Sequence, residues 1–156
     1  MKIFDKKRWQ EIHSKALDAE KDTPTLPIFG SDLSNDALQA ARFNLGSAGL
    51  LDAISLKQAD VLDISAPLEN GVLVANLPYG ERMGEREKLM VLYPKLGDLF
   101  KQKFAGWNAY LFTSDLKMPK SIRLSVSRKT PLFNGAIECR LFEYKMVKGS
   151  NRKPKK

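Results

Sequence analysis

A chain of 156 residues with 43% hydrophobic and 28% charged residues can form one domain with a real core, and its composition is that of a soluble globular protein. No run approaches the ~20 apolar residues of a membrane span. No apolar stretch follows the basic N-terminus as in a secretory signal. The single cysteine, Cys139, excludes an internal disulfide framework, fits a reducing cytoplasm and reads as a small buried hydrophobe on a strand. The net charge of +8 is concentrated at the end, where Lys145, Lys148, Arg152, Lys153, Lys155 and Lys156 occur without an acid; removing these six leaves +2. The body is therefore mildly basic. The tail suits either contact with phosphate backbones or a solvated chain end.

In chain order, Trp9, Ile12, Ala16 and Ala19 recur at helical spacing and predict a first helix over residues 5–21, with His13 on its polar side. Pro24 and Pro27, with Thr23 and Thr25, break it. Residues 28–32 form a short strand that ends in an acid. Ser34 or Asn35 caps the next helix, whose apolar face is Ala37, Leu38, Ala41 and Leu45; it runs to about Ser47, and Gly49 stops it. Residues 54–59 are a second strand, followed at once by Asp60. After a turn at 67–71, Val72-Leu73-Val74-Ala75 is a continuous apolar run, as expected of a strand buried on both faces of a parallel sheet.

That run ends in Asn76-Leu77-Pro78-Tyr79. A helix over about 86–104 carries Leu89, Tyr93, Leu96 and Phe100 on one side, where Tyr93 and Phe100 read as packing, and Pro94 should kink it. Gly106 leads into a strand at 108–113, with Trp107 as a core residue at its start, and residues 115–121 form a short helical turn. Two strand-like runs, 124–132 and 137–146, close the chain, joined around Phe133-Asn134-Gly135; Asn-Gly there is a hairpin signal. The alternation of helices and strands, closed by an antiparallel hairpin, argues an α/β open sheet.

In such sheets ligands bind beyond the carboxyl ends of the strands. Asp32, Asp60 and the Asn76–Tyr79 stretch stand there. The Asp32 carboxylate can take both hydroxyls of a ribose, or simply precede a helix as Asp often does. Asp60 can accept from an adenine amine with Val61 or Leu62 against the ring, or play no part in binding. The Asn76 side-chain carbonyl and the Leu77 main-chain carbonyl can accept both N–H bonds of an exocyclic amine. Pro78 would fix the backbone that aims them, and Tyr79 would offer a stacking face to an unpaired or flipped base. The same four residues also suit a plain turn. The lone His13 has no Cys or His companion, so no metal site is expected. Lys117, Lys120, Arg123, Arg128 and Lys129 could contact RNA or form a solvated face.

The stretch NLPYGER resembles motif IV of the amino-group methyltransferases, usually (Asn/Asp/Ser)-Pro-Pro-(Tyr/Phe/Trp). Its longer form, Asn-Pro-Pro-Tyr-Gly-Glu-Arg, is typical of the RNA methyltransferases that carry a THUMP domain, among them the bacterial 23S ribosomal RNA guanine-N2 methyltransferases. The resemblance covers nearly the whole chain, through RWQEIHSKA, FGSDLSNDALQAARFNLGSAGL, LKQADVLDI and LYPKLGDLFKQKFAGWNAYLFTSD. It implies a Rossmann-like S-adenosylmethionine-dependent methyltransferase fold with a C-terminal antiparallel hairpin over residues 1–147, then a basic tail at 148–156. It also implies a site. Asp32 would bind the ribose of S-adenosyl-L-methionine, Leu33 would flank the adenine, Asp60 would meet its amine and Val61 would lie beside its ring. Asn76, Leu77, Pro78 and Tyr79 would hold the target guanine of a ribosomal RNA. Gly80, Glu81 and Arg82 complete the signature without an assigned chemical role.

There are two departures. Leu77 stands where the family has proline, which keeps the carbonyl but gives up stiffness. The family's first strand and its Gly-rich loop, of the type Asp-Pro-x-Cys-Gly-Ser-Gly, have no counterpart here, nor has the THUMP domain; the first glycine is Gly30. That loop wraps the methionine part of the cofactor, so this chain alone is expected to be inactive. Two function classes follow: the larger part of an enzyme that methylates a guanine amine in 23S ribosomal RNA, or a catalytically inactive RNA-binding or assembly module. A nicotinamide-dependent dehydrogenase would need GxGxxG before residues 28–32, and none is present. Without the central strand, strands 28–32 and 72–76 are expected to pair directly. Insertion of residues 2–4, or a second copy of the chain making a homo-oligomer through the open edge, are the other ways to close the gap.

Overall fold

Asp5 caps helix α1 (Lys6–Asp18), its carboxylate accepting from the Arg8 amide at 3.0 Å. The computed structural model describes residues 4–21, 26–80 and 84–148, and the chain divides into two units between Asp60 and Val61. Residues 1–3, 22–25 and 81–83, which include Glu81 and Arg82, and the tail beyond Lys148 lie outside the described residues.

In the first unit, α1 is shorter than its periodicity predicts and none of its residues is buried; Trp9 and Ile12 are both exposed. His13 is not on a separate polar side. It sits one turn from Trp9 with ring centroids 5.8 Å apart, because residues four apart share a helix face. Strands β1 (Ile28–Asp32) and β2 (Ile54–Gln58) are parallel, with Ile28 opposite Ile54 and Asp32 opposite Gln58. Between them lies α2 (Asn35–Ser47), capped by the Ser34 hydroxyl, which accepts from the Ala37 amide at 3.3 Å. Gly49, at φ 69°, takes the left-handed turn after it, which a side chain would resist. Of the expected apolar face of α2, Leu38 is buried, Ala41 and Leu45 are half-buried, and Ala37 is exposed.

The second unit is a four-stranded sheet in the order β3-β4-β6-β5. Strand β3 (Gly71–Asn76) runs parallel to β4 (Trp107–Thr113), and α3 (Glu85–Lys103) makes the crossover between them. After the short α4 (Met118–Ile122), the hairpin of β5 (Arg128–Asn134) and β6 (Ile137–Lys145) returns antiparallel to β4. Helix α3 continues through Pro94 and buries Leu89, Tyr93, Leu96 and Phe100, the stripe its spacing predicts. These join Trp107, Ala109 and Leu111 of β4 with Phe142 and Tyr144 of β6 in one core. Cys139 is fully buried on β6. Burial raises the Tyr144 phenol pKa, and its hydroxyl donates to Met118 Sδ.

Two expectations give way. The apolar run in β3 is covered on one face only: Leu73 and Ala75 pack on the core, while Val72 and Val74 are 59% and 71% exposed. Alternate strand residues point to opposite sides, and α3 covers just one of them. Nor do residues 28–32 and 72–76 form a ladder; among the described residues β1 pairs only with β2, and β3 only with β4. Direct pairing was expected because a buried, unpaired backbone group costs about 1–3 kcal/mol. Ile28, Phe29, Val72 and Val74 are exposed, so neither strand is buried on both faces, as that expectation assumed.

Two core features yield measurable consequences. A methyl group on Gly97 would stand 1.8 Å from the Ile122 carbonyl oxygen, so α3 meets the end of α4 at backbone distance. Gly97→Ala should therefore cost about 3 kcal/mol in denaturant unfolding. Gly46→Ala, on an open stretch of α2, should stabilise by about 0.5–1 kcal/mol. The Tyr93 hydroxyl is enclosed beside Thr113 and Asp115 without a hydrogen bond of good geometry. Burial first, then the Asp115 charge, push its pKa from 10.0 up to about 12. A raised folded-state pKa means stability present below pH 10.0 and lost as pH climbs towards about 12. Tyr93→Phe should flatten stability against pH across that window and change neutral-pH stability by less than about 1 kcal/mol, or raise it. An unchanged alkaline slope would contradict this.

Candidate functional site

The first unit brings two of the sequence-identified acids to one end of its sheet. Asp32 is the last residue of β1, and its carbonyl accepts from the Ala59 amide at 3.1 Å. That bond extends the parallel pairing to the threshold of Asp60, which is half-buried. One oxygen of the Asp32 carboxylate accepts from the Ser34 amide at 2.7 Å, which bends the chain into α2. The other oxygen has no partner among the described residues. The Leu33 carbonyl accepts from Gln58 Nε2 at 3.0 Å, pinning the loop to β2 while the Leu33 side chain stays exposed. Val61, which opens the second unit, is also exposed.

In the second unit, Asn76 ends β3 opposite Phe112 of β4. The next amide, Leu77, donates to the Phe112 carbonyl at 2.9 Å, and the Leu77 side chain joins the core. These two contacts bear on the expected loss of stiffness at Leu77. A proline has no N–H to give; leucine gives one and adds a buried anchor. Asn76 and Pro78 are exposed and Tyr79 is half-buried. Neither the Asn76 side chain nor the Leu77 carbonyl has a hydrogen-bond partner among the described residues. The Tyr79 ring meets Phe112 edge to face at 6.4 Å, and its hydroxyl accepts from Asn134 Nδ2 at 3.0 Å. Gly80 then turns at φ 71° against Leu89 and Arg86 of α3, a conformation and a fit that a side chain would spoil.

Asn134 and Phe112 are the site residues that sequence reasoning missed. Asn-Gly marks a hairpin, and Asn134 was placed inside the turn. The register instead pairs Asn134 with Ile137, so the two turn residues are Gly135 and Ala136. Gly135, at φ 60°, occupies the first turn position, where glycine suits a two-residue loop. Counting back from that glycine, rather than from the Asn-Gly pair, would have placed Asn134 on the strand. Lys117, Lys120 and Arg123, on or flanking α4, and Arg128 and Lys129 at the start of β5 are all exposed.

Residues 1–143 match the family described as UPF0020, RMKL-like, methyltransferase domain. The ribosomal RNA large subunit methyltransferase K/L of Shewanella baltica (strain OS185) is 37% identical over 154 residues, covering 96% of this chain and 21% of that protein. The chain thus spans about a fifth of that relative's length. Among solved structures, SMU.472 in complex with SAH superposes with a TM-score of 0.80 at 26% identity, over 96% of this chain and 39% of that one. A protein of Clostridium difficile 630 described as a possible methylase gives 0.81 at 26% identity, over 97% and 40%. The expected Rossmann-like α/β architecture with its C-terminal hairpin is the fold of these neighbours. Through the family match and the sequence that carries it, the chain belongs to the RMKL-like methyltransferase domain family.

Proposed function

We propose that this chain is the larger part of a catalytic domain that methylates the exocyclic N2 amine of a guanine in 23S ribosomal RNA, with S-adenosyl-L-methionine as methyl donor. The observation that carries the reading is the Asn76–Tyr79 segment at the carboxyl end of β3, with two carbonyl oxygens that no described residue engages and an aromatic ring beside them. Two acceptors suit the two N–H bonds of an amine. Held by both, the amine cannot rotate, and its nitrogen lone pair has one direction. The same oxygens place partial negative charge beside a nitrogen that turns positive as it is alkylated. Pro78 restricts the backbone that carries the Leu77 carbonyl, and Tyr79 supplies the face on which the base stacks.

The acids fit the adenosine end of the cofactor. Asp32 keeps a carboxylate oxygen for ribose hydroxyls, Asp60 is assigned to the adenine amine, and Leu33 and Val61 to the ring. Bound there, S-adenosylmethionine supplies an electrophilic methyl group. The exposed cations of α4 and β5 offer ribosomal RNA phosphates a surface. The first test is Asn76→Ala in the complete enzyme, with a loss in methyl-transfer rate on the order of 10²-fold from lost alignment. A rate within a few-fold of the parent would sink the assignment. The second is calorimetry on this chain by itself. Its residues provide acceptors for adenosine but no Gly-rich loop for the methionine end, so we expect no saturation by S-adenosylmethionine below roughly 100 µM. A micromolar dissociation constant would show that other residues hold that end.

A further inference from the structure

We propose that Asn134, at the tip of the β5–β6 hairpin, is a positioning residue that sets the direction in which the Tyr79 ring points. The proposal rests on the reading of Tyr79 as the base-stacking face. A tyrosine on a loop can turn about two side-chain bonds, and a stacking platform is useful only if its plane is fixed before the base arrives. Here two contacts fix it from different directions. The edge-to-face contact with Phe112, at 6.4 Å and 71°, restrains the body of the ring. The Asn134 amide, 3.0 Å from the hydroxyl, restrains its far end. The hydroxyl oxygen lies on the axis about which the ring flips, so the Asn134 bond fixes where the ring points and the Phe112 contact fixes its plane; either one alone leaves a hinge.

The hairpin is shaped for this task. Asn134 is the last residue of β5, paired with Ile137, and the chain reverses over Gly135 and Ala136. With glycine carrying the left-handed turn at φ 60°, asparagine is released from turn duty and its side chain is free to reach across. The two residues are 55 apart in sequence, so no local preference brings them together; the β4–β6 and β5–β6 registers do. The consequence for chemistry is specific. The bond is taken at the Tyr79 hydroxyl oxygen, in line with the ring, so the face of the ring is left open for the base.

The test has two measurements. In this chain with isotope-labelled tyrosine rings, Asn134→Ala should shift and broaden the Tyr79 ring signals while leaving those of the buried Tyr144 in place; this needs no methyl transfer. In the complete enzyme, Asn134→Ala and Tyr79→Phe should each lower kcat by about 10-fold with a smaller change in KM for RNA. The double variant should be no worse than either single one, because both remove the same bond. Unmoved Tyr79 signals, additive losses or an unchanged kcat would each overturn the proposal. An unmutated enzyme that transfers no methyl group to a guanine amine would instead refute the function proposed above, and the ring signals would still decide the clamp.

Discussion

One main-chain hydrogen bond, from the Leu77 amide to the Phe112 carbonyl at 2.9 Å, decides where the β3 ladder stops and the Asn76–Tyr79 segment begins. Parallel pairing brings Asn76 level with Phe112. The Leu77 bond carries that alignment one residue further, and burial of its side chain then locks the direction in which the loop departs. Phe112 holds the segment twice, by its carbonyl at Leu77 and by its ring at Tyr79. Everything proposed for the amine depends on this junction, because carbonyl groups accept usefully only along their lone-pair directions. Proline stiffens a loop through its own ring. Leucine here obtains stiffness from the strand beside it.

The parts of the fold legible in the sequence are those governed by short-range rules. The helix stripe of Leu89, Tyr93, Leu96 and Phe100 followed directly from periodicity, and the strand ending at Asp32 from a short run between a proline break and a helix cap. The acids and the Asn76–Tyr79 stretch were found because strand ends are where such sheets present their ligand groups. What escaped depends on pairing between distant segments. An apolar run such as Val72–Ala75 looks the same whether one face is covered or both, since periodicity does not reveal what packs above the sheet. Asn134 escaped for a related reason. A one-residue change in hairpin register moves a side chain from turn to strand, and only the ladder to β6 settles it. Gly97 was invisible because the atom that demands it, the Ile122 carbonyl oxygen, belongs to another helix.

The two units differ in what holds their site residues. In the second, Leu77 is continuous with a core of large side chains from α3, β4 and β6, each contributing about 1.5–3 kcal/mol by burial. In the first, Leu38 is the one buried hydrophobe among the described residues, and Phe29 and Phe43 are exposed. There the geometry around Asp32 rests on hydrogen bonds: Ser34 to the carboxylate, Gln58 to the Leu33 carbonyl, and the Ser34 cap of α2. A cap of that kind is worth about 1 kcal/mol, so these elements open more readily than the β4–β6 core.

That contrast matches what each part is asked to do under the proposed reaction. Binding an adenosine end tolerates adjustment, because a carboxylate and a ribose can find each other over a range of angles and the bond forms once the ligand is present. Aligning an amine lone pair does not tolerate it, since a displacement of about 1 Å can cost on the order of 10²-fold in rate. Precision is therefore needed where the amine sits, and that is where the chain places its buried leucine, its ladder bond and its two-point hold on Tyr79. The hairpin joins this logic through β6: Phe142 and Tyr144 lie in the same core as Leu77, and β6 carries β5 and Asn134 at its far end. The ring of Tyr79 is thus tied, through one strand pair, to the most deeply buried part of the molecule rather than to a free loop.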